Sequence, residues 1–313
     1  RQSPNIFYIG DINMNENKQT NKFQIKDLPS LIVKTSKAWF NDDPFRLGAI
    51  IAYYAVISLP GLLVIIINSV GAIWGYEIVQ GQLTNEFSTA LGSDAAKAIE
   101  TIIAETQQAE KGILSTIFGI GTIIFGATGV FYQLKLSLND IWKIKPNPDA
   151  KIWKVVLDRV LSFAFVLVIG FLLLVSFIIT AAINALNDYI DNVLPDILVY
   201  VTYALDFALS IGIISVLFAL MFKYLPDAKI KWKTVWIGAI ITSLLFALGK
   251  SLLGLYFGQV DPGSTYGAAG IVVLVLLWVS YSSMILFFGA EFTYVYSERY
   301  KSGIEPTEIA EAK

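Results

Sequence analysis

The 313-residue chain contains no cysteine and no histidine. Without cysteine there is no disulfide framework and no thiolate nucleophile or ligand. Without histidine the commonest metal ligand and the usual general base near neutral pH are missing. Ser–His–Asp catalysis, HExxH zinc chemistry and cysteine redox work are therefore excluded. Charge is scarce too: 15% of residues are Asp, Glu, Lys or Arg, against about 25% in an ordinary soluble domain. No GxxxxGK[ST] phosphate-binding loop occurs, and the glycines of 119–129 lie inside an apolar run rather than between a strand and a helix. No cluster of acids is placed to hold divalent ions beside a nucleic acid. Metal, cofactor, nucleic-acid partner and enzymatic activity are all unexpected.

What the chain has instead is apolar length. Hydrophobic residues make up 55% of it, and its mean hydropathy is +0.62. A hydrocarbon core of about 30 Å needs roughly 20 mainly apolar helical residues. Six stretches qualify: 47–74, 112–134, 160–186, 197–222, 234–258 and 268–290. The expected fold is all-α, a polytopic integral membrane protein with a six-helix bundle and extra amphipathic helices. None of the six reads as a cleavable signal peptide.

Lysine and arginine set the expected orientation. Segments 1–46, 135–159, 223–233 and 291–313 carry 20 of the 23 basic residues, whereas the intervening loops carry two. That asymmetry places both ends of the chain in the cytoplasm. The opposite loops hold ten acids and no more than those two bases, so the outer face is expected to be acidic.

Within the expected membrane domain, 27–298, two further segments stand out. Residues 1–26 read as a disordered cytoplasmic tail and 299–313 as a second cytoplasmic tail. In 27–40, Leu28, Leu31, Ile32, Thr35 and Trp39 share one helical face, with Lys34 and Lys37 off it. This is either a helix lying in an anionic leaflet's interface or one packed under the bundle. Asn41-Asp42-Asp43-Pro44 stops it, and Asp43 with Pro44 starts the first span. Segment 75–111 is too polar to span and reads as two amphipathic helices capping the bundle outside, either as a plug or as a gating lid.

Charges inside a bilayer usually pair or line a wet path. Asp206 and Lys250 are the two well inside spans, each 22 residues from position 228 in the turn at 225–229. Equal depth in an antiparallel hairpin suggests a register-fixing ion pair, a substrate or proton site, or two separate cavities. Lys250 shares its face with Ser243, Ala247, Gly254 and Gly258, a small and closely packed side. Ser115, Gly119, Thr122, Gly126 and Gly129 form a similar seam in the second span. Pro60-Gly61 interrupts the first span near its middle, with Tyr53, Tyr54 and Asn68 around it. Such a break either borders a cavity or is purely structural. At the cytoplasmic edge, Arg46 and Glu291 could pair, staple the bundle or meet head groups. Asp140, Trp142, Lys154 and Arg159 crowd the same level and read first as interfacial anchors.

The stretches DDPFRLGAIIAYYAVISLPGLL (42–63), FGATGVFYQLKLSLNDIW (125–142), KYLPDAKIKWKTVWIGAIITSLLFALGKSLLGLYFG (223–258), YGAAGIVVLVLLWVSY (266–281) and GAEFT (289–293) resemble the YihY/BrkB family of bacterial inner-membrane proteins. The resemblance runs from about residue 30 to residue 298. It implies six membrane helices, cytoplasmic termini and a place in the bacterial inner membrane. The family once carried the label ribonuclease BN, generally regarded as mistaken, and this chain is a poor nuclease on its own residues. Members are linked to serum resistance and to export of lipid or solute, with no agreed catalytic residues. The leading expectation is a transporter or a lipid- or solute-translocating protein, with membrane lipids around it and a small-molecule or lipid substrate. The alternative is a non-transporting scaffold or envelope-assembly factor. Substrate, energy coupling and oligomeric state are not legible.

Overall fold

A computed structural model describes residues 23–91, 129–146, 197–260, 270–301, 303–307 and 310–313, with single residues between 96 and 168. Elements are numbered over these residues. Pro29 sits in the first turn of α1, Leu28–Asn41, where its missing N–H costs nothing. Asp43 then stands in the left-handed region (φ 54°) and caps α2, Pro44–Trp74, by accepting from the Arg46 amide. Gly75 (φ 103°) turns the chain into α3, Tyr76–Leu91. A helical stretch at 129–141 is α4. Then follow α5, Ile197–Tyr224, α6, Trp232–Val260, and α7, Gly270–Tyr300.

Among the described residues, three segments are long and apolar enough to cross a membrane: Phe207–Tyr224, Trp232–Phe257 and Val272–Tyr300, with Pro44–Leu59 a shorter apolar stretch. Four of the expected spans thus coincide with α2, α5, α6 and α7, apart from 268–269, which lie outside the described residues. The expected spans at 112–134, apart from its end in α4, and at 160–186 lie outside the described residues, as does most of 92–111. The first of the two expected capping helices is α3, which packs on α2 and touches α6 and α7.

The centre of the arrangement is α7, which packs against α2, α6 and α1, while α5 packs on α6. The main apolar core lies at the end carrying the α5–α6 turn, here termed the turn end. Leu47 and Ile51 of α2, Phe131, Leu138 and Ile141 of α4, Phe218 and Phe222 of α5, Val235 of α6 and Phe287 of α7 meet there. Away from it, Leu244, Leu248, Leu252 and Leu255 form an exposed stripe along α6. Spaced at four, four and three residues, they share one face, as a lipid-facing side requires.

Three expectations are corrected. First, α7 continues ten residues past the expected span end at 290. The cause is a stripe at every fourth residue, Phe292, Tyr296 and Tyr300, which packs around Leu31 of α1. Second, part of the expected tail 299–313 packs back on the chain in two short strands, although the fold is mostly helical as expected. Gly303 (φ 82°) ends α7, and the chain turns back as β3, Glu305–Pro306, and β4, Ala310–Ala312. The first pairs antiparallel with β2, Ala228–Lys229, and the second with β1, Ile144–Pro146. Strands of two or three residues have no periodicity for a sequence reading to detect. Third, the packed chain begins before residue 27, because the Phe23 ring meets Tyr296 and Tyr300 edge-on at 5.8 and 5.6 Å.

Helix α1 combines both readings of its segment. Leu31 and Thr35 are fully buried, and Trp39 donates its indole N–H to the Met284 carbonyl at 3.1 Å. Ile32, grouped with them by periodicity, instead joins Val33 and Phe40 on an exposed side beside Lys37.

Candidate functional site

Among the described residues, the densest buried polar group lies at the turn end, between α4 and the α5–α6 turn. Lys135 and Asn139 are one helical turn apart on α4, so they face the same way. Lys135 Nζ is 3.1 Å from Asp227 Oδ1, with both side chains under a tenth exposed. Asn139 Nδ2 donates to Asp227 Oδ2 at 3.0 Å, and the Asp227 amide donates back to Asn139 Oδ1 at 2.8 Å. The Thr307 amide donates to the Asp227 carbonyl at 3.0 Å, tying the returning segment to the same point. Desolvating two charges costs several kcal/mol per ion unless geometry and extra hydrogen bonds repay it. Here the carboxylate faces an ammonium on one oxygen and an amide on the other. Sequence reading counted Lys135 as one more basic residue and passed over Asn139 and Asp227. The available signal was the Lys-x-x-x-Asn spacing beside an acid in a short turn.

A second charged group lies beside it. Lys143 Nζ donates to both oxygens of Asp42, at 2.8 and 2.6 Å. Lys143 takes the left-handed position (φ 56°) that ends α4, a place usually held by glycine. A non-glycine residue there costs roughly 1–2 kcal/mol, and the partly exposed ion pair with the turn before α2 offsets part of it. Facing Asp42 and Lys143 is Glu291, 1% exposed, with one carboxylate oxygen buried and without a hydrogen-bond partner. Next to it on α7, Ala290 accepts the Trp142 indole N–H at 3.1 Å. Trp142 is therefore a fully buried core residue and not an interfacial anchor. Arg46 does not turn toward Glu291. It pairs with Asp43 at 3.2 Å in the open, where such a bridge contributes at most about 1 kcal/mol. Asp140 is also exposed and meets Lys313 Nζ at 2.6 Å. Arg159 and Lys154 lie outside the described residues.

The candidates further along the helices are not drawn together. Tyr53 is 59% exposed, whereas Tyr54 is half-buried and lies against Gly129, where an added Cβ would come within 3.3 Å of its ring. That contact supplies one member of the expected second-span seam; its other members fall outside the described residues. Helix α2 runs through Pro60-Gly61 without unwinding, so the span is not a discontinuous helix. Gly61 is buried, and the side chains of Pro60 and Asn68 lie outside the described residues. Ser215 and Ser243 share a hydrogen bond of 2.7 Å between α5 and α6. Seven residues beyond Ser243 is Lys250, and seven before Ser215 is residue 208, two from Asp206. Lys250 is exposed, and the side chain of Asp206 is outside the described residues, as is any pairing between the two. Of the small face expected around Lys250, Ser243 is buried, but Gly254 faces open space.

Helices α6 and α7 are keyed together by a reciprocal pair. Thr242 of α6 sits on Gly289 of α7, and Thr293 of α7 sits on Gly238 of α6. A Cβ added to either glycine would overlap the opposing threonine hydroxyl. Each threonine donates to the carbonyl one turn back on its own helix, at 2.7 Å, so its hydroxyl is satisfied without leaving the interface. Small residues that let backbones approach are the usual device for packing helices in lipid.

Among known proteins, a family model described as virulence factor BrkB matches residues 35–312. A UPF0761 membrane protein of Methylibium petroleiphilum is 28% identical over 82% of this chain and 60% of its own length. One from Verminephrobacter eiseniae is 27% identical over 60% of this chain and 43% of its own length. The chain thus spans only about half the length of these two relatives. A third, from Pseudoalteromonas translucida, is 25% identical over 80% of this chain and 81% of its own length. No solved structure matches the chain. The apolar helices, the resemblance along the chain and a family model covering nearly all of it converge: this is a membrane protein, and the chain belongs to the BrkB virulence factor family.

Proposed function

We propose that the protein is a multi-pass protein of the bacterial inner membrane that moves a lipid or small solute across the bilayer. In this reading it has six spans, the turn end faces the cytoplasm, and residues 75–111 lie outside. The observation that carries the reading is the layer of buried charge at the turn end: Lys135 with Asp227, and Glu291 beside Asp42 and Lys143. Anchoring a bundle at a head-group layer needs charges that reach water. Charges withdrawn from water are costly, and in membrane proteins they accompany pathways more often than anchors. Glu291, with one oxygen unpartnered, is the group best placed to gain a partner when the helices part. The charge layer then acts as a closed inner gate. Catalysis is no part of the proposal.

One observation favours the scaffold reading instead. The Gly238–Thr293 and Gly289–Thr242 contacts and the sealed Lys135–Asp227 pair all fix geometry. Reconstitution separates the two readings. Vesicles carrying the folded chain are expected to equilibrate a fluorescent phospholipid between leaflets, or to release a trapped solute, faster than empty vesicles. Glu291→Gln is expected to change that rate at unchanged folded yield. No acceleration of either process by folded protein would overturn translocation and leave the scaffold. Labelling of a cysteine at position 97 only from the cytoplasmic side would overturn the orientation.

A further inference from the structure

The segment beyond α7 pairs twice, each time with a different part of the chain. β3 pairs with β2 in the α5–α6 turn, and β4 pairs with β1, which follows α4. β1 and β2 belong to separate two-stranded sheets and do not pair with one another. What joins them is the returning segment. Its backbone also reaches both charged groups. The Thr307 amide donates at 3.0 Å to the carbonyl of Asp227, the partner of Lys135. The Lys313 amide donates at 2.7 Å to the carbonyl of Lys143, the partner of Asp42.

The two pairings bridge different things. β2 leads into α6 and β3 follows α7, and those helices are held to each other by the Gly–Thr contacts. The β2–β3 pair therefore stays whole when they shift. The β1–β4 pair runs from α7 across to α4, over the contact where Lys135 meets Asp227. Parting α4 from its neighbours has to break it. Its hold is light: within β4, Ala310 is buried, but Glu311 and Ala312 are exposed. The side-chain pairs, Lys313 with Asp140 at 2.6 Å and Lys145 with Glu311 at 4.0 Å, lie in the open, where such bridges contribute little. Two strands without a third are marginal in water. At the root of the segment stands Gly303, with φ 82°, where a Cβ would collide with Glu298. Only glycine takes that turn freely, and such a residue can absorb the dihedral change of a hinge.

We propose that β4 is a strap: paired with β1 it holds the inner gate shut, and its release from β1 lets α4 and α7 part. The buried Lys135–Asp227 pair and the Gly–Thr contacts are sealed within the bundle. The strap is exposed, short and hinged. Segments with few buried contacts and solvent-exposed backbone hydrogen bonds open locally far more often than the core. The frequency of that opening then sets the basal rate of the gate. The strap rests on the translocation reading above, and its test is arranged so that the two fail separately.

The chain has no cysteine of its own, so a reversible lock can be placed on the strap. Lys145 and Glu311 stand opposite each other in the β1–β4 register, and both are half-exposed. Opposed residues in antiparallel strands have Cα atoms roughly 4.5–5.5 Å apart, inside the range a disulfide spans. Lys145→Cys/Glu311→Cys is reconstituted into phospholipid vesicles from one preparation, half oxidised and half reduced. Transfer of fluorescent phosphatidylglycerol between leaflets, read by extraction to albumin, and release of trapped carboxyfluorescein are then measured. The oxidised form is expected to run at least about tenfold slower than the reduced form in whichever process the protein accelerates. Glu311→Pro/Lys313→Pro, which removes two amide donors from β4, is expected to run roughly three- to tenfold faster than the wild type at similar folded yield. Should that variant fold poorly, the oxidised and reduced halves alone decide. Acceleration that is equal in the two halves would overturn the strap and leave translocation standing. No acceleration by any form would overturn both. Failure of the two cysteines to bridge under oxidant would also overturn the strap, because β4 would not lie on β1.

Discussion

Replacing Asp227 by asparagine keeps its shape and removes its charge, which isolates what the buried group at the turn end contributes. The Lys135 ammonium loses the carboxylate 3.1 Å away. The new amide then meets a second conflict. If its oxygen stays toward Lys135, its nitrogen faces Asn139 Nδ2, donor against donor, where the wild type has a 3.0 Å hydrogen bond. If Asn139 flips to answer it, Asn139 Nδ2 confronts the residue 227 amide that Oδ1 now accepts from at 2.8 Å. No arrangement of the two amides satisfies every atom. Breaking a buried pair from one side costs about 3–5 kcal/mol, a large share of the roughly 5–15 kcal/mol that holds a typical protein folded. The melting temperature should fall on the order of 10 °C, read by fluorescence-detected size exclusion of heated samples in detergent. Lys135→Met should cost a similar amount, and the double variant should regain more than half of either loss, because no charge is left stranded. A single variant melting within about 2 °C of the wild type would refute the reasoning, as would losses that add.

The α6–α7 contact makes a second prediction. Gly289→Ala should destabilise by about 1–3 kcal/mol, the usual cost of overpacking, and adding Thr242→Gly should relieve most of it less about 1 kcal/mol for a helical glycine; no relief in the same melting assay would show that the clash lies elsewhere. At the start of α2, Asp43→Ala should cost about 1 kcal/mol for the lost cap and leave the left-handed strain, whereas Asp43→Gly should be nearly neutral. Equal melting temperatures for the two variants would remove Asp43's φ of 54° from the account.

Helix positions were legible because apolar length is a local property. The break at 41–44 was legible for the same reason: Asp43 and Pro44 carry their meaning within four residues. The sites were not. Asp227 meets Asn139 across 88 positions of chain, and neither residue type signals burial by itself. Trp142 at the edge of a basic loop matched the pattern of an interfacial aromatic, and only the Ala290 carbonyl above it shows otherwise. Small-residue packing was expected, and α6 and α7 use that device through Gly-x-x-x-Thr on each helix. A threonine in an apolar run looks like any other tolerated polar residue until its partner glycine is known. The overshoot of α7 was hidden because Glu291 and Arg299 lowered the apolar density while the aromatic stripe kept the helix going.

The reciprocal contact between α6 and α7 also limits how the molecule can move. Where one helix ratchets past another it moves by about one turn, roughly 5.4 Å. One such step brings Thr242 opposite Thr293, and both would need space that only a glycine leaves. The opposite step sets Gly238 against Gly289 and drives the two threonines onto Ile285 and Thr234. Both directions are obstructed, yet nothing in the contact resists the two helices turning as a unit. The motion this contact leaves open is a swing of α6 and α7 together against their neighbours, with the pair itself travelling as a single rod.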